Sequence, residues 1–201
     1  GHRTTQRPAS SMTSNLSLAA RVISEGFLPA RSALLQGPRE PVSGPVSPNR
    51  IRGMLLGLAI GDALGNTSDS LPVLEREARH GEIRDYLPNC RSGGRRVGLP
   101  SDDSQLAFWT LESLLERGGL DPDDLSARFA SREIFGPGKS MQQFLRNREQ
   151  GAASWYHYGA ESAGNGALMR IAPVVLLHPQ GPSAAPWLDV ALASIITHRD
   201  A

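Results

Sequence analysis

Apolar residues along this chain recur three and four positions apart, the spacing of helices that pack by one face. Leu18, Val22, Ile23 and Phe27 give a short amphipathic helix within residues 16–35. Residues 49–64 read as a second helix, and residues 71–81 as a third with one charged face. Residues 105–117 carry a broad apolar face through Leu106, Trp109, Leu111, Leu114 and Leu115, and Gly118-Gly119 supplies the stop. Asp121-Pro122 has the form of a helix start, with Leu125, Phe129 and Ile134 following at core-like spacing. Further helices are expected over residues 140–148, 168–177 and 191–197, with a Gly/Pro turn over 135–139 and a flexible basic loop over 90–98.

Within the second helix Gly53, Gly57, Gly61 and Gly65 fall at every fourth position and so share a face. Each helical glycine costs about 1 kcal/mol relative to alanine. Four in register therefore predict a close approach by another backbone.

Composition divides the chain. Hydrophobic residues make up 39% of 201, with 21 Gly and 15 Pro, which points to a segment outside the packed core. Residues 1–48 fit that description: Ser, Thr, Pro and Arg are scattered through them, Glu25 and Glu40 are the only acids, and a Pro/Gly/Ser-rich stretch closes them. They read as a loose leader and linker, vector-derived in part, since Gly1-His2 precedes the first methionine, Met12. An Arg- and Ser-rich, acid-poor leader also fits an organellar transit peptide. The domain proper is expected over residues 49–201.

The net charge of +1 gives no global field toward nucleic acid or an anionic membrane, so neither is expected as a partner. No apolar run reaches the roughly 20 residues of a membrane span. The single cysteine, Cys90, cannot form an internal disulfide, and no Cys/His cluster has zinc spacing. A cytoplasmic location follows as the expectation, an organellar one if the leader is a transit peptide.

Two stretches carry candidate chemistry. Ser101-Asp102-Asp103-Ser104 places two carboxylates between hydroxyls at a helix start. Hard cations such as Mg2+ take oxygen ligands of this kind. The same residues suit helix capping, and Asp102 with Gln105 imitates a capping box. Consecutive helical residues point about 100° apart, so Asp102 and Asp103 can share a centre only at the first turn. Asp62 and Asp69 are further candidate carboxylates, with capping or solvation as the plainer alternative. Asp121-Pro122-Asp123-Asp124 reads as a cap.

The second stretch is Ser162-Ala163-Gly164-Asn165-Gly166-Ala167-Leu168-Met169-Arg170. Glycines ahead of an apolar helix leave backbone N–H groups free to cradle a phosphate. The third glycine of a dinucleotide fingerprint and the lysine of a P-loop are both absent. Trp155-Tyr156-His157-Tyr158 could stack a base or form core, and His198 alone is uninformative.

In order and spacing, Ile51-Arg52-Gly53 with Gly61-Asp62-Ala63-Leu64-Gly65, then Ser101–Ser104, then Ser162–Arg170, then Thr197-His198 resemble the ADP-ribosylglycohydrolases. The resemblance implies an all-α, orthogonal multi-helix fold holding two Mg2+ ions. It implies hydrolysis of the glycosidic bond that joins ADP-ribose to a protein side chain or small molecule. Ser101, Asp102 and Asp103 match the family's first metal motif. Asp69 stands where many members have a glutamate near the scissile bond and is one methylene shorter; with Asp102 and Asp103 it is the expected catalytic set. Ser162, Gly164, Asn165 and Gly166 match the loop that wraps ADP-ribose, and His198 a substrate-pocket histidine. Ser104 replaces a usual threonine. A second acidic motif, Asp-x-Asp-Thr/Ser, lies beyond the Thr-His motif in family members, and no counterpart follows Asp103 at that place. The fold is thus expected to lack its C-terminal third and half of its metal ligands, and the uncovered core to favour self-association. The alternative is a catalytically silent helical module that binds ADP-ribose or a related nucleotide.

Overall fold

A computed structural model of the chain describes residues 9–29, 46–178 and 185–199. Among them eight α-helices carry the fold, as expected of an all-α protein: α1 (Ala9–Ser24), α2 (Pro48–Gly65), α3 (Val73–His80), α4 (Asp102–Arg117), α5 (Pro122–Ala130), α6 (Lys139–Glu149), α7 (Leu168–Val175) and α8 (Ala185–Ile195). Strands are two residues long. β1 (Pro88–Asn89) pairs antiparallel with β2 (Arg95–Arg96), and β3 (Ala160–Glu161) pairs parallel with β4 (His198–Arg199). By contacts the chain divides into two compact units, a smaller one of Val46–Gln105 with Ile134–Gly136 and a larger one of the remainder.

The larger unit is built around Leu106, Leu125, Phe129, Phe144, Val174, Leu192 and Ile196, all fully buried. The acidic reading of Asp121 as a cap holds: its side chain accepts the N–H of Asp124 at 3.0 Å, and Pro122 begins α5 without losing a needed donor. Asp124 in turn accepts from Ser113 and Arg117, each at 2.6 Å, and from Arg128, so α4 and α5 are tied by a charged network. Trp155 and Tyr156 are buried, with ring centroids 5.1 Å apart edge to face, which makes the aromatic stretch core and not a stacking wall.

One part of the expected leader is integral to this unit. Ala19 and Val22 on α1 are buried, and α1 packs on α8. Asn15 Nδ2 donates to the buried Asp189 at 2.8 Å, and the His178 ring meets the other oxygen of that carboxylate at 2.9 Å. After the turn at Gly26, Phe27 packs edge to face on Tyr156 and lies under the guanidinium of Arg199. A loose leader over residues 1–48 therefore does not describe residues 9–29. Its poor overall composition averaged over a helix whose apolar positions do find a core. The helix also starts earlier than residue 16 and ends at Ser24; residues 30–35 of the expected span, and most of the Pro/Gly/Ser-rich linker, lie outside the described residues.

In the smaller unit Ser47 starts α2 by accepting the N–H of Arg50, with Pro48 in the first helical position. The expected close approach at the glycine row is not found: a Cβ added at Gly53, Gly57, Gly61 or Gly65 would meet no described atom within 4 Å. Ala63 is the one buried residue of α2, and Leu56 and Ile60 are exposed. The loop expected over residues 90–98 is instead the β1–β2 hairpin, turned by Gly93 and Gly94, both at positive φ.

The face of α4 is narrower than its sequence suggests, because Leu115 is 74% exposed whereas Leu106 is completely buried. Leu106→Ala is expected to lower stability by about 2–5 kcal/mol and Leu115→Ala by less than about 0.5 kcal/mol. Urea unfolding of the two variants checks this, and equal losses would contradict the described burial.

Candidate active site: an acidic helix start and a glycine loop

The smaller unit gathers the acidic candidates at the start of α4. The chain reaches Ser101 held on both sides. Asn66 Nδ2 donates to Leu99 O at 2.7 Å, and Arg91 donates to Pro100 O at 2.6 Å while lying over the Phe135 ring. Asp62, in the last turn of α2, then takes up the orphan donors of the new helix. Its Oδ2 accepts the N–H groups of Ser101 at 2.8 Å and Ser104 at 3.1 Å, and its Oδ1 accepts the Ser101 hydroxyl at 2.6 Å and Asn66 Nδ2 at 3.0 Å. Burial alone would raise the Asp62 carboxyl; the hydrogen bonds from Ser101, Ser104 and Asn66 outweigh it and hold the group below its ordinary value.

Ser101 Oγ accepts the Asp103 N–H at 3.3 Å, Asp102 N–H donates to Phe135 O at 3.0 Å, and the Gln105 side chain accepts from Phe135 N at 2.7 Å. The Asp102 and Asp103 side chains are half-buried at the first turn. Asp103 is raised above its ordinary value, by burial first and then by the charges of Asp62 and Asp69. Asp69 is exposed after α2 and close enough to be felt there. The Ser104 hydroxyl is buried beside Asp62 without completing a hydrogen bond.

Whether these residues suit a divalent cation divides into kind and number. In kind they fit, since the donors are carboxylate and hydroxyl oxygens and the crowding of negative charge at Asp103 is what a cation relieves. In number they form part of a shell: among the described residues no three His, Cys, Asp or Glu side chains converge on one point. Asp62, already accepting four hydrogen bonds, positions the helix and has no oxygen lone pair to spare.

The larger unit holds the second cluster. The β3–β4 ladder pairs Ala160 with His198 and Glu161 with Arg199, and Ser162 N donates to Arg199 O at 2.7 Å. Parallel pairing thereby lays the loop that leaves β3 against the side chain of His198. Ser162 Oγ accepts the Gly164 N–H at 3.1 Å, Asn165 is exposed at the start of a short 3-10 turn, and α7 begins at Leu168. His198 Nε2 lies 2.9 Å from where a Gly166 Cβ would stand and 3.8 Å from that of Gly164. Glycine at 166 is thus a steric requirement of the histidine. Burial, with the Arg170 charge adding to it, pushes His198 down to about 4, so the ring is neutral at physiological pH.

Ser101, Asp69 and Asp103 are therefore gathered in one unit, and Ser162, Gly164, Gly166 and His198 in the other. Asp62 was named among the acids, but its partners, 39 and 42 positions away, could not be read from local sequence.

A family model described as ADP-ribosylglycohydrolase matches residues 44–201. The chain belongs to the ADP-ribosylglycohydrolase family. The chain is 31% identical over 166 residues to the ADP-ribosyl-[dinitrogen reductase] glycohydrolase of Rhodospirillum rubrum, covering 79% of this chain and 54% of that protein. Its identity to the ADP-ribosylarginine hydrolase Tri1 of Pseudomonas putida is 26%, over 76% of this chain and 42% of the relative. To the ADP-ribosylhydrolase ARH3 of Xenopus tropicalis it is 27%, over 75% and 45%. The chain spans about half the length of these relatives.

Asp62→Asn removes the carboxylate from four hydrogen bonds and is expected to cost about 1–3 kcal/mol at pH 7. Because the folded carboxyl titrates below its unfolded value of 3.8, that loss is complete above the unfolded value and fades as pH falls through the folded one. Urea unfolding at pH 7 and in acid measures both parts. Gly166→Ala must displace the His198 ring and is expected to change the ring's NMR signals, with stability affected less; an unperturbed histidine spectrum would contradict the contact.

Proposed function

We propose that this chain contributes the acidic first motif and the ADP-ribose loop of a Mg2+-dependent hydrolase that cleaves the glycosidic bond between ADP-ribose and a protein side chain or small molecule. The observation that carries the proposal is the convergence of Asp69 and Asp103 charge on a helix start organised by Asp62, in a chain of this family. Relatives named for ADP-ribosylarginine and for dinitrogen reductase support the class of substrate and leave arginine or another acceptor open.

Cleavage at the anomeric carbon passes through an oxocarbenium-like state, which nearby carboxylates stabilise. Asp69 and Asp103 would supply that negative charge. Ser101, Asp102 and Asp103 would hold Mg2+, whose chemistry when bound is Lewis-acid polarisation and orientation of the substrate hydroxyls. Asp62 fixes the first turn of α4, and with it the directions of these ligands. In the other unit, backbone N–H groups of Gly164, Asn165 and Gly166 would meet the diphosphate, where dipoles favour anions. His198, neutral, would offer a hydrogen bond and no charge.

Calorimetry of this chain with ADP-ribose, with and without Mg2+, tests the proposal. Mg2+-enhanced binding is expected; metal-independent binding would favour the silent binding module, and no binding in either condition would oppose both. In the full-length protein, Asp102→Asn with Asp103→Asn is expected to lower ADP-ribose release by at least about 100-fold, the scale on which charge stabilisation at a reacting centre acts. Retained turnover would sink the metal assignment.

A further inference from the structure

Arg170 is among the largest fully buried side chains, 1% exposed, and it stands in the first turn of α7, the helix that begins after the glycine loop. Its Nη2 donates to Ala193 O at 3.1 Å and to Thr197 Oγ1 at 2.6 Å, and its guanidinium sits 5.1 Å over the Phe129 ring. Burial pushes it down to about 9, which leaves it charged at neutral pH. Among the described residues no carboxylate pairs with it, and Nε and Nη1 have no hydrogen-bond partner. Such a group is costly to bury. Its one side-chain hydrogen bond is to Thr197.

Thr197 is itself fully buried, and its hydroxyl also lies 2.8 Å from His198 Nδ1. A guanidinium can only donate, so Thr197 Oγ1 must accept from Arg170. The hydroxyl retains one proton, and the acceptor at hand for it is Nδ1. A histidine nitrogen that accepts leaves the ring hydrogen on the other nitrogen. That nitrogen, Nε2, is the one that faces Gly164 and Gly166.

The geometry points to Arg170 and Thr197 as positioning residues that fix His198 in the Nε2–H tautomer, so that a neutral hydrogen-bond donor is presented at the glycine loop. Resting on the reading of that loop as the ADP-ribose site, the ligand group that His198 selects is then an oxygen acceptor, a phosphate or ribose oxygen. A nitrogen lone pair at Nε2 would require a ligand donor there instead. Arg170 acts through Thr197.

Two-dimensional 15N NMR of the histidine ring in the full chain at pH 7 reads the tautomer directly. Protonated Nε2 and unprotonated Nδ1 are expected. Thr197→Val keeps the shape and removes the hydroxyl; it is expected to convert His198 to a mixture of tautomers and to weaken ADP-ribose binding about 3- to 10-fold, the scale of one hydrogen bond. Thr197→Ser restores the tautomer and the affinity, a rescue that loss of packing alone would not give. Nδ1–H in the wild-type chain, or an unchanged tautomer in Thr197→Val, overturns the inference even if ADP-ribose binds. The expected tautomer without ADP-ribose binding overturns the functional reading and leaves the Arg170–Thr197–His198 relay standing.

Discussion

The site in the smaller unit depends on one carboxylate. Asp62 ends one helix and begins another, receiving two backbone N–H groups and a hydroxyl from the start of α4 and an amide from Asn66. A helix start leaves several donors unsatisfied, and a charge placed on them also meets the positive end of the helix dipole. Asp62 thus supplies from another helix part of what a local cap would otherwise supply. At that turn the Asp103 carboxyl is raised, by burial first and then by the charges of Asp62 and Asp69.

The two readings of Ser101–Ser104 were thus never exclusive. Ser101 does cap, its hydroxyl accepting the Asp103 N–H, while Asp62 takes its share of the helix start from outside. The pattern of letters could not show this division, because the partner that decides it comes from another helix. Local signals were read correctly where the partner was local: Asp121 and Pro122 start α5, with the bond to Asp124 only three residues away. The helices of the core were legible from spacing for the same reason.

Misreadings share a cause as well. Glycines at Gly53, Gly57, Gly61 and Gly65 make close approach possible and do not supply the approaching chain. Composition over residues 1–48 pointed to a loose leader; the spacing of Leu18, Val22, Ile23 and Phe27 marked a helix there, but its burial through Ala19 and Val22 depends on packing with α8, an element at the far end of the sequence. The aromatic stretch at Trp155 could be assigned to core only once Phe27 and its neighbours were in place. At the glycine loop the motif itself was visible, but the steric reason for Gly166, the ring of His198, required the β3–β4 pairing.

That pairing has a consequence for the order of folding. Arg199 Nε reaches Gly159 O across forty residues of sequence, and the parallel ladder beside it is only two residues long. Closing so long a loop carries an entropic cost that two ladder positions repay poorly, and contacts of that separation form late. Helices α6 and α7 have short-range bonds to sustain them and can form first. The glycine loop then acquires its histidine wall near the end of the process, and on gentle destabilisation it is the first feature to come apart. Loop and histidine are in this sense a clasp fastened last, and anything that bridged the two would stabilise the folded state by holding it closed.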